Sequence, residues 1–240
     1  RPDQLNALRY DMLDAMLEAI SGWSLDTEVR VVVLKGAGRA FCAGDDLKGM
    51  GDPAGRTDLD WLTRARYGFR KVVKALLELP KPVIASIQGY AVGAGFELSL
   101  ACDFRICTED ARMGPIFIQR ALVAGTYLLP RHVGLAKAKE MLFLGEPIDA
   151  EEARYLRLVN KVVPADALED ATNELAQRLA KSPTRAIGYA KMSLHRGLDL
   201  GLEQGLDYDS FATHLSIETE DRAEGLRAFL EKRNPHYTGR

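Results

Sequence analysis

Hydrophobic residues along the chain follow two different spacings, which together predict helices that alternate with strands. Apolar residues recur every three to four positions between Leu5 and Ile20 and again between Leu59 and Leu77, a spacing typical of amphipathic helices. Four short segments rich in apolar residues instead predict buried strands: EVRVVVLKG (28–36), PVIASIQG (82–89), DFRICTED (103–110) and LVNKVVP (158–164). Strands connected by helices indicate an α/β core.

Helical patterns dominate the second half of the sequence. The segment GLAKAKEMLFLG (134–145) predicts a helix, and Asp149 is a candidate N-cap for the helical segment that follows it. Asp166 is a candidate N-cap for a further helix that ends near Leu179. Aspartate is common at these positions because its carboxylate accepts hydrogen bonds from the free N–H groups of the first helical turn.

The pattern beyond Pro183 is helical almost to the end, with breaks near Gly197 and Asn234. We therefore predict two parts, an α/β core over residues 1–183 and an α-helical region over residues 184–240. The sequence opens without an initiator methionine, so the prediction leaves room for a further N-terminal strand ahead of the core.

Composition narrows the classes of protein. With 47% hydrophobic and 28% charged residues, the 240 residues are typical of a globular protein that buries a substantial core. A net charge of -2 gives no strong field toward nucleic acid or anionic lipid, and no apolar run is long enough to span a membrane. We therefore expect a soluble protein that binds neither nucleic acid nor membrane. Its three cysteines favour buried, reduced thiols and a cytoplasmic location, and its four histidines lack paired ligand spacing, so no metal is predicted.

Two glycine-rich turns invite a nucleotide-binding interpretation, which their spacing does not support. GAGFEL (93–98) has the first two glycines of a dinucleotide fingerprint, but Leu98 stands where the third small residue is needed for close packing of helix and strand. GAGRAF (36–41) fails at the same point. The sequence also contains no phosphate-binding GxxxxGK[ST] motif and no GxSxG motif of a serine hydrolase.

The segment QGYAVGAGFELSLACD (88–103) places Glu97 in the first turn of a helix that is predicted to begin near Gly93 or Ala94. The first N–H groups of a helix have no partner within it, and the small residues there would let a ligand oxygen approach the backbone. Apolar residues follow Glu97, so its carboxylate is expected to face a cleft. The alternative is a solvated first-turn acid, which stabilises a helix by about 0.3–1 kcal/mol.

A second small-residue turn lies in GRAFCAGDDLKGM (38–50), where Asp45 or Asp46 is a candidate cap of a helical turn. Two backbone N–H groups that converge on one oxygen form an oxyanion hole, which stabilises negative charge on a carbonyl. The alternative interpretation of this segment is a surface turn with two capping aspartates.

At these residues the sequence resembles the crotonase superfamily, the enoyl-CoA hydratase/isomerase group. The resemblance covers nearly the whole chain, in order, through AFCAGDDLKGM (40–50), PKPVIASIQGYAVGAGFELSLACDFRI (80–106), LPRHVGLAKAKEMLFLGEPIDAEEA (129–153), LVNKVVP (158–164) and EGLRAFLEKRNPHYTGR (224–240). It implies a spiral of ββα units followed by an α-helical C-terminal region that mediates trimers, which usually pair into hexamers.

The resemblance also implies roles for individual residues. The backbone N–H groups of Asp45 and Ala94 correspond to the oxyanion donors, and Glu97 corresponds to the first catalytic carboxylate. A carboxylate beside a forming enolate would repel it, so we expect the Asp45 side chain to point away, toward solvent or the amide groups of CoA.

Residues that contact the CoA part of the substrate are implied in the same way. They are Ala43, Asp45, Asp46, Leu47, Lys48 and Ala94, with Phe229 and Lys232 from the C-terminal region, often of a neighbouring subunit. Alternatively, Lys232 is a solvated surface lysine and Phe229 belongs to a subunit interface.

One departure from the hydratase pattern bears on the reaction. Hydratases of the group use a second glutamate at a position that corresponds to Phe117 or a residue beside it, and residues 111–139 contain neither Asp nor Glu. The loop RALVAGTYLLPR (120–131) also looks shorter than usual, at a place where some relatives carry a catalytic aspartate. Hydration by paired carboxylates is therefore in doubt, whereas a double-bond shift needs one carboxylate.

Three classes of function follow from these observations. The first is an enzyme on acyl-CoA thioesters, assigned first to 2-enoyl-CoA hydration in fatty-acid metabolism, in particular β-oxidation, with enoyl-CoA isomerisation by Glu97 as the alternative. The second is a CoA-thioester-binding protein with little activity, and the third is a scaffold in an oligomer. No cofactor is expected, because CoA is part of the substrate, and the predicted partners are copies of the chain in a homotrimer or hexamer.

Overall fold

Four parallel strands form the main sheet of the computed structural model, which describes residues 1–47 and 68–240. Their order in the sheet is β1, β2, β4, β7, with bounds Val32–Lys35 (β1), Val83–Ile87 (β2), Phe104–Thr108 (β4) and Lys161–Val163 (β7). Every residue of β2 is buried, as expected for a central parallel strand that is covered on both faces. The four predicted strands are thus confirmed, each somewhat shorter than its apolar segment.

A second, smaller sheet lies next to the first. Its strands are Tyr90–Val92 (β3), Arg112–Gly114 (β5) and Ile148–Asp149 (β6), with β3 and β5 parallel and β5 and β6 antiparallel. The chain crosses from β2 to β3 in two residues at Gly89, whose φ of +55° favours glycine. A Cβ atom there would lie 2.3 Å from the Arg39 carbonyl oxygen, so no larger residue fits.

The repeated unit of the fold follows from this crossing. Strands β2 and β4 are neighbours in the main sheet, while the strands that follow them, β3 and β5, are neighbours in the second sheet. Strands β2 and β3 are followed by the helix Ala94–Leu100, and strands β4 and β5 are followed by the 3-10 helix Ile116–Arg120. The chain thus forms successive ββα units. The predicted α/β class is therefore confirmed.

Helices cover the sheets and make up the end of the chain. In chain order they are Tyr10–Leu25 (α1), Phe69–Glu78 (α2), Ala94–Leu100 (α3), Leu129–Leu144 (α4), Ala150–Tyr155 (α5), Leu168–Ala180 (α6), Thr184–Gly197 (α7), Leu202–Ile217 (α8) and Glu220–Leu230 (α9). No helix within the described residues has the length and apolar character needed to cross a membrane.

Some predicted helix ends are confirmed and others are wrong. Asp149 caps α5, since its Oδ1 accepts a 2.8 Å hydrogen bond from the Glu152 N–H. Asp166 caps no helix, because it lies in a 3-10 turn and α6 begins after it without a side-chain cap. The first helix begins at Tyr10 rather than at Leu5, whose positive φ is incompatible with a right-handed helix.

The helix that is predicted to begin at Leu59 is described only over Phe69–Glu78, and its first part lies outside the described residues. The predicted breaks after Pro183 are also found, since α7 ends at Gly197 and α9 ends at Leu230. The division of the chain at residue 183 stays a prediction.

The C-terminal helices are anchored to the core through α7. Lys191, which is 6% exposed, places its Nζ 2.8 Å from Asp103 Oδ2 at the start of β4 and 3.3 Å from the Lys81 carbonyl oxygen. Gly188 lets α7 approach the chain closely, because a Cβ atom there would lie 2.5 Å from the Pro80 carbonyl oxygen. These contacts fix α7 against the end of the main sheet.

Candidate active site

Helix α3 begins directly after β3, and its N-terminus carries free N–H groups. Gly93 is the N-cap, with a φ of +57°, and its own N–H donates to the Gly114 carbonyl of β5 at 2.9 Å. The first N–H that bonds back along the helix is that of Glu97, which donates to the Gly93 carbonyl at 3.1 Å. The N–H of Ala94 therefore lies before the first intrahelical bond and is oriented outward from the helix end.

The turn around Asp45 is held by the N-terminal segment of the chain. The Leu8 N–H donates to the Gly44 carbonyl at 2.8 Å, and the Asp46 N–H donates to the Leu8 carbonyl at 2.9 Å. Since the backbone groups on either side of Asp45 face Leu8, its own N–H faces the opposite direction. Among residues 1–47 and 68–240, neither the Asp45 nor the Ala94 N–H donates to a backbone acceptor.

The two turns are in contact. A Cβ atom on Gly44 would lie 3.0 Å from the Val92 carbonyl oxygen and 3.4 Å from the Ala94 nitrogen. Cys42 also packs closely on α3, because a Cβ atom on Gly95 would lie 2.4 Å from the carbonyl oxygen of Cys42. The glycines therefore allow two backbone segments from distant parts of the sequence to meet where both free N–H groups lie.

Glu97 lies one helical turn after Gly93 and is partly buried. Burial, together with the negative charge of Asp45, raises the pKa of the Glu97 carboxyl from its ordinary value of 4.5 to about 7. Burial also raises the pKa of Asp45.

The Asp45 side chain does not have the predicted orientation. We expected it to point away from the site, but it is partly buried and its charge acts on Glu97. The physical reason is the pairing with Leu8: paired residues of neighbouring strands place their side chains on the same face, and Leu8 is buried in the core. Asp45 is part of a β-bridge, and the helical turn that it or Asp46 is predicted to cap continues into residues outside the described ranges.

Phe117 forms an apolar wall at this site. It belongs to the 3-10 helix Ile116–Arg120, and its side chain is 8% exposed. A Cβ atom on Gly93 would lie 3.7 Å from its ring, and a Cβ atom on Gly125 would lie 3.3 Å from it. The ring therefore packs between the start of α3 and the loop that contains Gly125. An apolar ring thus lies in the segment to which the resemblance assigns the second glutamate of the hydratases.

The other predicted substrate-binding residues are found in two separate places. Ala43, Asp46 and Leu47 flank Asp45, with Asp46 paired to Arg1 at 2.8 Å and Leu47 57% exposed. Lys48 lies outside the described residues.

Phe229 and Lys232 lie at the end of the C-terminal region, where both are exposed. Neither residue takes part in the contacts described above between the Asp45 turn and α3. Their roles stay predictions.

Sequence reasoning missed the part played by the N-terminal segment. Asn6 and Leu8 were assigned to a helix, whereas Leu8 holds the Asp45 turn and the Asn6 side chain donates to the Ala37 and Ala40 carbonyls at 2.8 Å. No local signal indicates this, because both partners lie more than thirty residues along the chain. Within the described ranges, no group of three or more His, Cys, Asp or Glu residues is placed to hold a metal ion.

Comparison with known proteins places this geometry in a family. The family model described as Enoyl-CoA hydratase/isomerase matches residues 1–240. The chain belongs to the enoyl-CoA hydratase/isomerase family. Its fold agrees, since a crystal structure of an enoyl-CoA hydratase from Bacillus anthracis superimposes with a TM-score of 0.92 and 39% identity, covering 100% of this chain and 93% of that one.

Relatives of the chain differ in the reactions that their names describe. (E)-benzylidenesuccinyl-CoA hydratase of Thauera aromatica is 37% identical over 243 residues, covering 100% of this chain and 93% of the relative. 1,2-epoxyphenylacetyl-CoA isomerase of Escherichia coli is 34% identical over 244 residues, with the same two coverages. The chain is accordingly an enzyme of the enoyl-CoA hydratase/isomerase type.

Proposed function

We propose that the protein forms and stabilises the enolate of an enoyl-CoA thioester, and that it moves the double bond of the acyl chain. The backbone N–H groups of Asp45 and Ala94 would donate to the thioester oxygen, while Glu97 would move the proton. The contact between Gly44 and Ala94 is the observation that carries this proposal, because it brings the two free N–H groups to one place.

Glu97 is suited to move a proton in both directions. A carboxyl group with a pKa of about 7 is partly ionised at neutral pH, so it can accept a proton from carbon and then return it. In the double-bond shift, Glu97 would take the proton from the α-carbon of a 3-enoyl thioester. The electron pair moves to the thioester oxygen, and the same proton is then delivered to the γ-carbon.

Phe117 favours the double-bond shift over hydration by paired glutamates. The second glutamate of that route would have to act from the position where the aromatic ring packs against Gly93. A double-bond shift requires only one carboxyl group, and the apolar ring of Phe117 supplies no second one.

An assay with two substrates and one variant tests the proposal. The protein is mixed with a 3-enoyl-CoA and with crotonyl-CoA, and the absorbance of the conjugated thioester is followed. We expect the 3-enoyl-CoA to be converted, and Glu97→Gln to reduce the rate by about 10²- to 10⁴-fold. Unchanged turnover in Glu97→Gln would rule out the role of Glu97. Tight binding without turnover would indicate a CoA-thioester-binding protein instead.

The pH dependence provides an independent check. If ionised Glu97 is the base, kcat/KM for the double-bond shift rises with pH up to about 7 and is level above it. If protonated Glu97 were required, kcat/KM would fall above that pH.

A homotrimer or a hexamer is part of the proposal. The C-terminal helices α7, α8 and α9 carry large apolar side chains on their surface: Leu194, Leu202, Leu206, Phe211, Leu226, Phe229 and Leu230. Apolar surface of this extent supports burial against copies of the chain. Light scattering during gel filtration tests it, and a monomeric mass would refute it.

Pathway, location and CoA contacts complete the proposal. Fatty-acid β-oxidation is proposed from the family resemblance, and the cytoplasm from the three cysteines, which are buried and form no disulfide. No cofactor is proposed beyond the CoA of the substrate. Contact of CoA with Ala43, Asp46, Leu47 and Lys48, and with Phe229 and Lys232 of the same or a neighbouring subunit, belongs to the same proposal.

A further inference from the structure

The Asp45 carboxylate has no part in the mechanism proposed above, which uses only the N–H of this residue. The carboxylate is partly buried, and within the described residues it takes part in no hydrogen bond or ion pair. The neighbouring Asp46 differs, because its carboxylate is paired with Arg1. A partly buried carboxylate without such a partner is costly for a fold, so its position calls for a functional explanation.

The backbone directs this side chain inward. Asp45 forms a parallel bridge with Leu8, so the two side chains lie on the same face. Leu8 is buried and, with Cys42 and Leu98, lines a cavity of about 280 Å³. Cys42 precedes Asp45 by three residues and Leu98 directly follows Glu97, so the cavity adjoins the two segments that carry the carboxyl groups.

The contacts between the two turns bring the carboxyl groups near each other. Gly44 packs on Val92 and Ala94, and Glu97 follows within the first turn of α3. The negative charge of Asp45 consequently acts on Glu97. Phe117 closes another side of the same helix terminus with an aromatic ring, so the acids of the described site are Asp45 and Glu97.

We infer that the Asp45 carboxylate is the second acid–base group of the site, and that with Glu97 it supports hydration of a 2-enoyl-CoA in place of the glutamate that Phe117 replaces. The inference rests on the proposed enolate chemistry. It gives Asp45 two functions, one for its N–H and one for its side chain.

These two carboxyl groups account for every proton that moves during hydration. The Asp45 carboxylate accepts a proton from water as the water oxygen bonds to the β-carbon, and the electron pair of the double bond moves to the thioester oxygen. Glu97 in its acid form then donates its proton to the α-carbon. Transfer of the proton from Asp45 to Glu97, directly or through solvent, restores both groups.

The charges around the pair favour this division of roles. Burial raises the pKa of both carboxyl groups, and the pKa of Glu97 reaches about 7, so Glu97 can act as an acid near neutral pH. Cys42 stays neutral because burial raises its pKa to about 11, and Asp46 is compensated by Arg1. Two neighbouring carboxyl groups in different environments are typical of paired acid and base catalysts.

The experiment compares hydration with the double-bond shift in the full-length protein. Wild type, Asp45→Asn, Asp45→Glu and the surface control Asp14→Asn are assayed with crotonyl-CoA and with a 3-enoyl-CoA. Asp45→Asn keeps the backbone N–H but cannot accept a proton, so we expect hydration to fall about 10²-fold and by a larger factor than the double-bond shift. Asp45→Glu should recover part of the hydration rate, and Asp14→Asn should match wild type.

The pH profile separates a proton-transfer role from a structural one. In wild type, hydration should decline above a pH of about 7, as Glu97 loses its proton. In Asp45→Asn, that decline should begin at lower pH, because the negative charge that raises the pKa of Glu97 is removed.

Four results are decisive. Hydration by Asp45→Asn within threefold of wild type would overturn the inference, as would a double-bond shift in wild type without any hydration. Equal losses in Asp45→Asn and Asp45→Glu would indicate a structural role and would also overturn it. If wild type catalyses neither reaction, the proposed function itself fails.

Discussion

Gly44 and Ala94 are in backbone contact although they belong to distant parts of the sequence: a Cβ atom on Gly44 would lie 3.4 Å from the Ala94 nitrogen. This contact is what places the N–H of Asp45 next to the N-terminus of α3. The position of an oxyanion donor must be accurate to a fraction of an ångström to be effective. The two donors therefore depend on the absence of a side chain at residue 44.

Substitution of Gly44 by alanine should lower kcat strongly and the free energy of unfolding moderately. Gly44 has a φ of +93°, and an added Cβ would press on the Val92 carbonyl oxygen at 3.0 Å, so the turn must shift. We expect the free energy of unfolding to fall by about 1–3 kcal/mol. Displacement of one oxyanion donor should reduce kcat by about 10²-fold.

Gly22→Ala in α1 is the matched control for this substitution. A Cβ atom on Gly22 would meet nothing within 4 Å, and alanine is favoured over glycine within a helix by up to ~1 kcal/mol. Urea unfolding and steady-state kinetics should show a stable, fully active Gly22→Ala variant. Full activity of Gly44→Ala would contradict the oxyanion assignment.

Glu97 should make the stability of the fold depend on pH. Its pKa is about 7 in the folded protein and near 4.5 when unfolded, so the folded state binds the proton more tightly. The free energy of unfolding should therefore fall as pH rises from about 5 to about 7 and stay lower above that. Over this interval the loss amounts to about 3 kcal/mol.

Glu97→Gln removes this titration and should be more stable than wild type at pH 8, but not at pH 4.5. Urea unfolding at the two pH values measures the difference, with exposed Glu18→Gln in α1 as the control. Identical pH dependence in wild type and Glu97→Gln would show that Glu97 is not in a desolvated position.

The strands and the site differ in how far sequence predicts them. Buried parallel strands are recognisable because nearly every residue is apolar, as in β2, and the cap at Asp149 is a local signal. The bridge between Leu8 and Asp45 is not local, so neither the direction of the Asp45 side chain nor the late start of α1 was predictable. The sequence pattern places Glu97 in the first turn of a helix. The residues that surround its carboxyl group in space are brought there by tertiary contacts, which the pattern does not show.

Substitution of Phe117 tests whether the apolar ring suppresses hydration. Phe117→Glu would place a carboxyl group beside Gly93, at the position of the missing hydratase glutamate. We expect hydration of crotonyl-CoA to rise by about tenfold or more relative to the double-bond shift, since a positioned proton donor contributes at least this much. Both rates are measured by the absorbance of the thioester.

Phe117→Gln is the control, because it has nearly the same size and polarity as the glutamate variant but cannot transfer a proton. Both variants lose stability, as a polar side chain replaces a ring that is 8% exposed. An equal change of the hydration rate in the two variants would show that access of water, and not proton transfer, was limiting.

Lys191 should contribute much more to stability than the ion pairs on the surface. Its Nζ lies 2.8 Å from Asp103 Oδ2, and the ammonium is buried where α7 meets β4. In Lys191→Met the stem can still pack, but the Asp103 carboxylate loses its cation and keeps the 2.7 Å hydrogen bond from the Val83 N–H. Removal of one partner of a buried pair costs about 3–5 kcal/mol.

A second variant separates the charge from the packing. In Lys191→Met/Asp103→Asn no uncompensated charge is left, so we expect part of the lost stability to return. The exposed pair of Lys74 and Glu78, with a nitrogen–oxygen distance of 3.8 Å, serves as control, and Lys74→Met should cost less than about 1 kcal/mol. Urea unfolding of the four proteins measures these differences. A cost for Lys191→Met as small as that for Lys74→Met would show that α7 is held to the core by its apolar contacts rather than by this ion pair.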